Sequence, residues 1–299
     1  MSVPFANYFL EIVVQHIEIT LAAIGEGAQI MECKSGPLAL REHISKLPIP
    51  LQWGSFITSD ASLLEHGKLA VVEEYMPRLA NAVHSTLSKE RFPLVIGGDH
   101  SCAIGTWSAI ANFYRTMGDI GLIWIDAHLD SHTPQTSESG APHGMPLACL
   151  LGYGSRNLTT IHDVVRKLRP QNVVVIGARS SEKGEEDLLE SLGVRVMRIE
   201  EVHDRGFDVC LDEAIEIVSK ETVGYGITFD IDSLDPIDAP GVGSPEDGGL
   251  WLSDVVRTFE SMNKRKLIGF ELVEYNPERD SGDLRTAKAC VAILDAILP

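Results

Sequence analysis

From about residue 60 onward, short apolar runs alternate with longer segments in which apolar residues recur every three or four positions. The runs at 93–96, 121–125, 173–176, 194–197, 224–229 and 267–271 are mostly bounded by Gly, Pro or charged residues, which predicts buried strands. Between them, 63–88, 102–114, 185–192, 209–218, 252–262 and 283–298 carry the helical spacing. Strands that alternate with helices predict an α/β fold: a doubly wound, mainly parallel sheet with helices on both faces. No repeat period and no low-complexity linker divides the pattern, so residues 1–299 are expected to form a single domain. The first 60 residues carry no comparably regular alternation.

In open α/β sheets ligands bind beyond the carboxyl ends of the strands. Four of the predicted strands lead into residues rich in His, Asp and Glu. They are Gly97-Gly98-Asp99-His100-Ser101, Asp126-Ala127-His128-Leu129-Asp130, Asp230-Ile231-Asp232-Ser233-Leu234-Asp235-Pro236 and Glu274-Tyr275-Asn276-Pro277. Side chains alternate along an extended chain, so Asp126, His128 and Asp130 are expected to share one side, as are Asp230 and Asp232. With His100 they offer two imidazoles and four carboxylates, a hard set that suits manganese better than a thiolate-preferring metal. Four carboxylates balance two divalent cations, whereas one ion would leave strong like-charge repulsion. Turns after strands also attract Asp for local backbone hydrogen bonds, so a lone Asp-x-Asp would carry little weight. The joint occurrence of all three groups points to metal.

Charge and cysteine usage narrow the setting. With 43 acidic against 25 basic residues the formal charge is −18, which disfavours nucleic acid and anionic membrane surfaces as partners. Most of that excess reads as a solubilising surface, and bound metal would neutralise part of it. Hydrophobic residues make up 44% of the chain, yet no apolar stretch approaches the roughly 18 residues of a membrane span. Near the start, the apolar run at Ile12 to Val14 is interrupted by Glu11 and Glu18, follows no basic residue and precedes no small-residue cleavage site. No export signal is expected. Cys33, Cys102, Cys149, Cys210 and Cys290 are odd in number and widely scattered, which fits a reducing cytoplasm better than a disulfide framework.

In order along the chain, GGDHS at 97–101, DAHLD at 126–130, HGMP at 143–146, FDIDSLDP at 229–236 and EYNP at 274–277 resemble the signature motifs of the arginase/agmatinase/formiminoglutamase (ureohydrolase) family. A weaker echo of that family's amino-terminal loop runs from Gly27-Ala28 to Gly36-Pro37-Leu38-Ala39-Leu40-Arg41. The resemblance implies a single α/β domain that assembles as trimers or hexamers and hydrolyses a small guanidino substrate. It implies two Mn2+ ions per chain, with Co2+ as an alternative: one held by His100, Asp126, Asp130 and Asp230, the other by Asp126, His128, Asp230 and Asp232. Asp130, His143 and Glu274 would form the catalytic set, with His143 as proton shuttle and Glu274 orienting the guanidinium.

The segment Thr133-Pro134-Gln135-Thr136-Ser137-Glu138-Ser139-Gly140 resembles an arginase loop more than an agmatinase one, which makes L-arginine the first choice of substrate. His132, Ser137, Ser139, Glu182 and Glu185 are then expected around the amino-acid head. Three departures bear on that choice. His132 stands where arginases usually have Asn, Arg179-Ser180-Ser181-Glu182 replaces Arg-Asp-x-Asp, and Glu246-Asp247 are acidic where the family is commonly apolar. Another ureohydrolase substrate is the nearer alternative. A binding protein without turnover is the more distant one, against which all six ligand positions are retained.

Overall fold

Eight strands form one sheet in a computed structural model that describes residues 16–298. The reading of the amino-terminal run falls mostly on residues 1–15, outside the described residues. The strands are β1 (Ile17–Ala23), β2 (Leu51–Thr58), β3 (Phe92–Gly97), β4 (Gly121–Ile125), β5 (Val173–Ala178), β6 (Arg195–Arg198), β7 (Tyr225–Asp230) and β8 (Leu267–Val273). They lie in the order β2-β1-β3-β8-β7-β4-β5-β6, and every pairing is parallel. Around the sheet pack α1 (Gly36–Ile44), α2 (Lys68–Ser88), α3 (Cys102–Tyr114), α4 (Pro146–Leu150), α5 (Arg156–Thr159), α6 (Lys183–Leu192), α7 (Ile199–Arg205), α8 (Phe207–Ser219), α9 (Leu252–Ser261) and α10 (Arg285–Ile297).

Continuous rather than alternating apolar runs form these strands because both faces of the sheet are covered. Leu94, Ile96, Ile123, Ile125, Val174 and Ile176 point into one core with Leu40 of α1, Leu211 of α8, Phe259 of α9 and Ile293 of α10. Their neighbours Val95, Leu122, Trp124, Val173 and Val175 point into the other, with Met76 of α2, Trp107 of α3 and Leu147 of α4. The doubly wound arrangement follows from that division.

Two sequence expectations are corrected. The segment 63–88 is not one helix: a 3-10 turn at Ala61–His66 ends at Gly67, whose φ of 94° no helix accommodates, and α2 starts at Lys68. The strand expected at 267–271 runs on to Val273, so Glu271 is a fully buried interior residue rather than the strand's last one. The first 60 residues hold β1, α1 and β2. Strand β2 sits at the sheet edge and is largely accessible, which explains why its sequence LQWGSFIT lacks a buried-strand signature.

The strand order has one consequence for chemistry. Strands β3, β8, β7 and β4 are consecutive neighbours, so the segments leaving their carboxyl ends emerge side by side.

Candidate metal centre

His100, Asp126, Asp130 and Asp230 meet at one point. The His100 Nδ1 lies 3.1 Å from Asp126 Oδ2, 3.0 Å from Asp130 Oδ2 and 3.1 Å from Asp230 Oδ2. Beside this group, His128 Nδ1 lies 3.4 Å from Asp126 Oδ1 and 3.2 Å from Asp232 Oδ2. Two sets, His100/Asp126/Asp130 and Asp126/His128/Asp232, bring their donor atoms within 4.8 Å of one another, and Asp126 belongs to both. The six residues come from the segments after β3 and β4, the last residue of β7 and the segment that follows it.

The way they converge differs from the sequence expectation. Residues 126–130 are not an extended strand, because β4 ends at Ile125 and Asp130 takes a left-handed φ of 47°. Asp126 Oδ1 accepts the His128 N–H at 2.7 Å, and Asp230 Oδ1 accepts the Asp232 N–H at 2.8 Å. In each case Oδ1 closes the turn and Oδ2 faces His100, and Asp126 Oδ1 also faces His128 Nδ1. Trp124, two residues before Asp126 on β4, donates its indole N–H to Asp126 Oδ2 at 2.8 Å and stacks on the His100 ring with centroids 4.2 Å apart.

A cation fits this donor set. His100 Nδ1 and Asp232 Oδ1 are buried without a hydrogen bond of acceptable geometry, although carboxylate oxygens crowd the imidazole nitrogen. Burial pushes the Asp130 carboxyl up to about 7, with the Asp126 charge adding. Burial likewise carries Asp230 well above the usual range, helped by Asp232 and Asp126. At His100 burial opposes the imidazolium, and Asp126, Asp130 and Asp230 outweigh it. Negative charge is concentrated here beyond what the protein's own cations offset, and an oxygen-rich set of this kind suits hard divalent ions.

Glu274 and His143 sit against the cluster. Glu274 Oε1 accepts the His100 backbone N–H at 2.9 Å and lies 3.0 Å from His143 Nδ1. Burial works against protonation of His143, but Glu274 overrides it and lifts the ring to about 9. Glu274 is held at a left-handed φ of 67°, and its N–H donates to Gly98 O at 2.7 Å. A side chain on Gly98 would put its Cβ 2.0 Å from Ile24 O, so only glycine lets the GGDHS turn approach the segment after β1. That segment is the weaker amino-terminal echo: Gly27 accepts the His143 N–H at 3.2 Å, and its own N–H donates to Asp99 Oδ2 at 2.8 Å.

The residues expected around a substrate head divide into two groups. His132 Nε2 faces Glu182 Oε2 at 3.3 Å and Glu185 Oε2 at 3.5 Å, while Nδ1 lies 3.1 Å from Thr136 Oγ1. Glu185 is buried, and its carboxylate accepts the N–H groups of Ser131 at 3.1 Å and Glu182 at 3.0 Å, pinning the start of α6 to the segment after β4. Ser137 and Ser139 lie in the loop 133–140, where their hydroxyls accept the N–H groups of Gly140 and Ala141.

Several supporting residues escaped the sequence reading. Arg179 donates to the carbonyls of Asp232 at 2.8 Å and Glu246 at 2.9 Å, tying the metal turn to the following loop. Trp124 and Thr228 each stand two positions before a ligand on the same strand face, a period-2 signal that would have found them. Asp99 lies within the GGDHS motif, and Glu271 had only its charge within an apolar run as a signal.

The model of the arginase family matches residues 17–298. The arginase of Brevibacillus brevis is 41% identical over 233 residues, 78% of this chain and 77% of that protein. The arginase of Bacillus caldovelox is 40% identical over 230 residues, 77% of this chain and 76% of the relative. The crystal structure of the Bacillus subtilis arginase superposes with a TM-score of 0.86 at 32% identity, covering 95% of this chain and 98% of the other. A match that begins with β1, ends at the last described residue and recurs in the backbone is not confined to a few motifs, and on that ground the chain belongs to the arginase family.

Proposed function

We propose that this chain, acting as one domain over residues 1–299, hydrolyses L-arginine to L-ornithine and urea at a two-metal centre. The observation that carries this reading is the convergence of three carboxylate oxygens on the unpartnered Nδ1 of His100, in a chain whose relatives are named arginases. His100, Asp126, Asp130 and Asp230 would hold one ion and Asp126, His128, Asp230 and Asp232 the other, with Mn2+ the expected metal and Co2+ a substitute. When bound, the pair supplies Lewis-acid activation of water for attack on the guanidinium carbon.

The chain's own residues bind, orient and deliver the proton. Glu274 uses Oε1 to hold the His100 N–H and the His143 ring, which leaves Oε2 for the planar donors of a guanidinium. His143, bound to Glu274 through Nδ1, keeps Nε2 for the departing nitrogen and carries a proton at neutral pH. His132, Glu182, Ser137 and Ser139 would meet the amino-acid head, with Glu185 bracing them from behind. The net negative charge and the family resemblance support a cytoplasmic homo-oligomer, trimer or hexamer, without nucleic-acid or membrane partners.

One observation favours a second reading, a different guanidino acid. The His132 Nε2 already faces two carboxylates, so it presents less free donor capacity to a substrate carboxylate than an Asn would. Urea release from arginine, agmatine and other guanidino acids by Mn2+-loaded protein decides between them. Arginine is expected to give the highest kcat/KM, and equal or better use of another compound would overturn the arginine assignment.

A further inference from the structure

Beneath the His100 ring lies a chain of buried polar groups that no part of the proposed chemistry uses. The His100 Nε2 is 3.0 Å from Thr228 Oγ1, and Thr228 Oγ1 donates to Glu271 Oε2 at 2.8 Å. Glu271 also accepts from Thr106 Oγ1 at 2.5 Å and from the Trp107 indole N–H at 3.1 Å. All four residues are buried. Strand register brings two of them together, since Thr228 of β7 pairs with Glu271 of β8. A glycine admits a third: a Cβ on Gly226 would lie 1.9 Å from the Trp107 ring, so only a bare backbone there lets the indole reach Glu271.

The protons in this chain can be assigned by counting donors. An indole N–H only donates, and a carboxylate only accepts. Thr228 has one hydroxyl hydrogen, and Glu271 takes it. The Thr228 oxygen therefore meets His100 with a lone pair, and Nε2 must carry the ring proton. In the neutral ring Nδ1 is then the lone-pair nitrogen, and it is the atom on which the oxygens of Asp126, Asp130 and Asp230 converge.

We propose that Thr228 and Glu271 are positioning residues that fix the His100 tautomer, holding the proton on Nε2 so that Nδ1 offers its lone pair to the metal ion. The proposal rests on the metal reading of the site and adds to it a source of the ring's polarity. Groups that orient a metal-bound imidazole through its other nitrogen commonly change metal affinity by about 10–100-fold when removed. Removing the acceptor is as damaging as removing the hydroxyl: in Glu271→Leu nothing takes the Thr228 hydrogen, which is then free to face Nε2 and no longer fixes the ring proton there.

The test is Mn2+ binding to chelator-treated protein, followed by calorimetry with elemental analysis, in wild type, Thr228→Val, Thr228→Ser and Glu271→Leu. Thr228→Val and Glu271→Leu are expected to weaken one of the two ions by about 10–100-fold, the one His100 would hold, and to spare the other. Thr228→Ser, which keeps the hydroxyl, is expected to restore wild-type binding. A purely structural role would weaken both ions together through loosened packing. Wild-type affinity in Thr228→Val, equal loss of both ions, or failure of the Ser variant to rescue would overturn the relay while leaving the metal site standing. A wild type that binds no Mn2+ would overturn the site reading itself, and the relay with it. Should the Val and Leu variants misfold, long-range 15N–1H correlation on wild type loaded with diamagnetic Zn2+ reads the tautomer directly: a ring proton on Nε2 of His100 is expected, and one on Nδ1 overturns the proposal.

Discussion

Glu274 Oε1 lies 3.0 Å from His143 Nδ1 and, through the same atom, accepts the backbone N–H of the candidate ligand His100 at 2.9 Å. One carboxylate oxygen thus couples the proposed proton carrier to the candidate metal centre without belonging to its donor sets. His143 stands outside the ligand set, so His143→Ala is expected to lower kcat by about 10²–10⁴-fold while leaving metal content unchanged. Glu274→Gln should weaken both substrate binding and rate, because it removes a charge from the guanidinium pocket as well as the partner of His143. Loss of metal or full activity in His143→Ala would contradict its placement.

Metal stoichiometry tests the shared-aspartate arrangement. Asp126 belongs to both donor sets, and Asp230 Oδ2 points into the same centre. Mn2+-loaded protein is expected to hold about two ions per chain. Asp126→Ala should lose more than one ion's worth of binding, because it strips a donor from each set. Elemental analysis after gel filtration measures this, and a wild-type value near one ion would count against the bridge.

The His143–Glu274 pair also makes a pH prediction for the chelator-treated protein. Burial resists protonation of His143, but Glu274 raises it to about 9, above the roughly 6.5 of an unfolded histidine. A raised folded-state value means that the pair's contribution to stability is complete below about 6.5 and is lost as pH rises through about 9. Urea midpoints of wild type and His143→Ala are therefore expected to differ most below pH 6.5 and to draw together by pH 10. A gap that widens with pH would reverse the assignment.

Substrate selectivity tests the proposed head-group residues. A zwitterionic head needs donors for its carboxylate and an acceptor for its ammonium, and His132, Ser137, Ser139 and Glu182 offer both. Agmatine lacks the carboxylate and would leave donors unpaired at a cost of about 1–3 kcal/mol each, so arginine should be preferred by about one to two orders of magnitude in kcat/KM. Measurement in wild type and His132→Asn separates two outcomes. Arginine use that improves in the Asn variant would mark His132, already facing Glu182 and Glu185, as tuned to another head.

Most strands and helices were legible because covering a parallel sheet on both faces demands unbroken apolar runs, and β3, β4, β5, β7 and β8 have them. Edge strand β2 makes no such demand, and its half-exposed sequence went unread. The six candidate ligands were legible from their residue types at strand ends, where chemistry and position coincide.

Residue types and their spacing along the chain determined which groups could bind metal, since the donor preferences of His and Asp are local properties. How those groups meet was decided only by tertiary structure. Strand order made β3, β8, β7 and β4 neighbours, and no local signal encodes that order. Asx turns, rather than an extended chain, orient the Asp126 and Asp230 carboxylates so that Oδ2 of each faces His100. Glu271, the last residue of the expected strand, is a buried acceptor beneath His100 because Thr228, 43 residues away in sequence, pairs with it across strands. Hydrogen-bond partners of buried polar groups come from distant segments, so their roles emerge only when packing brings those segments together.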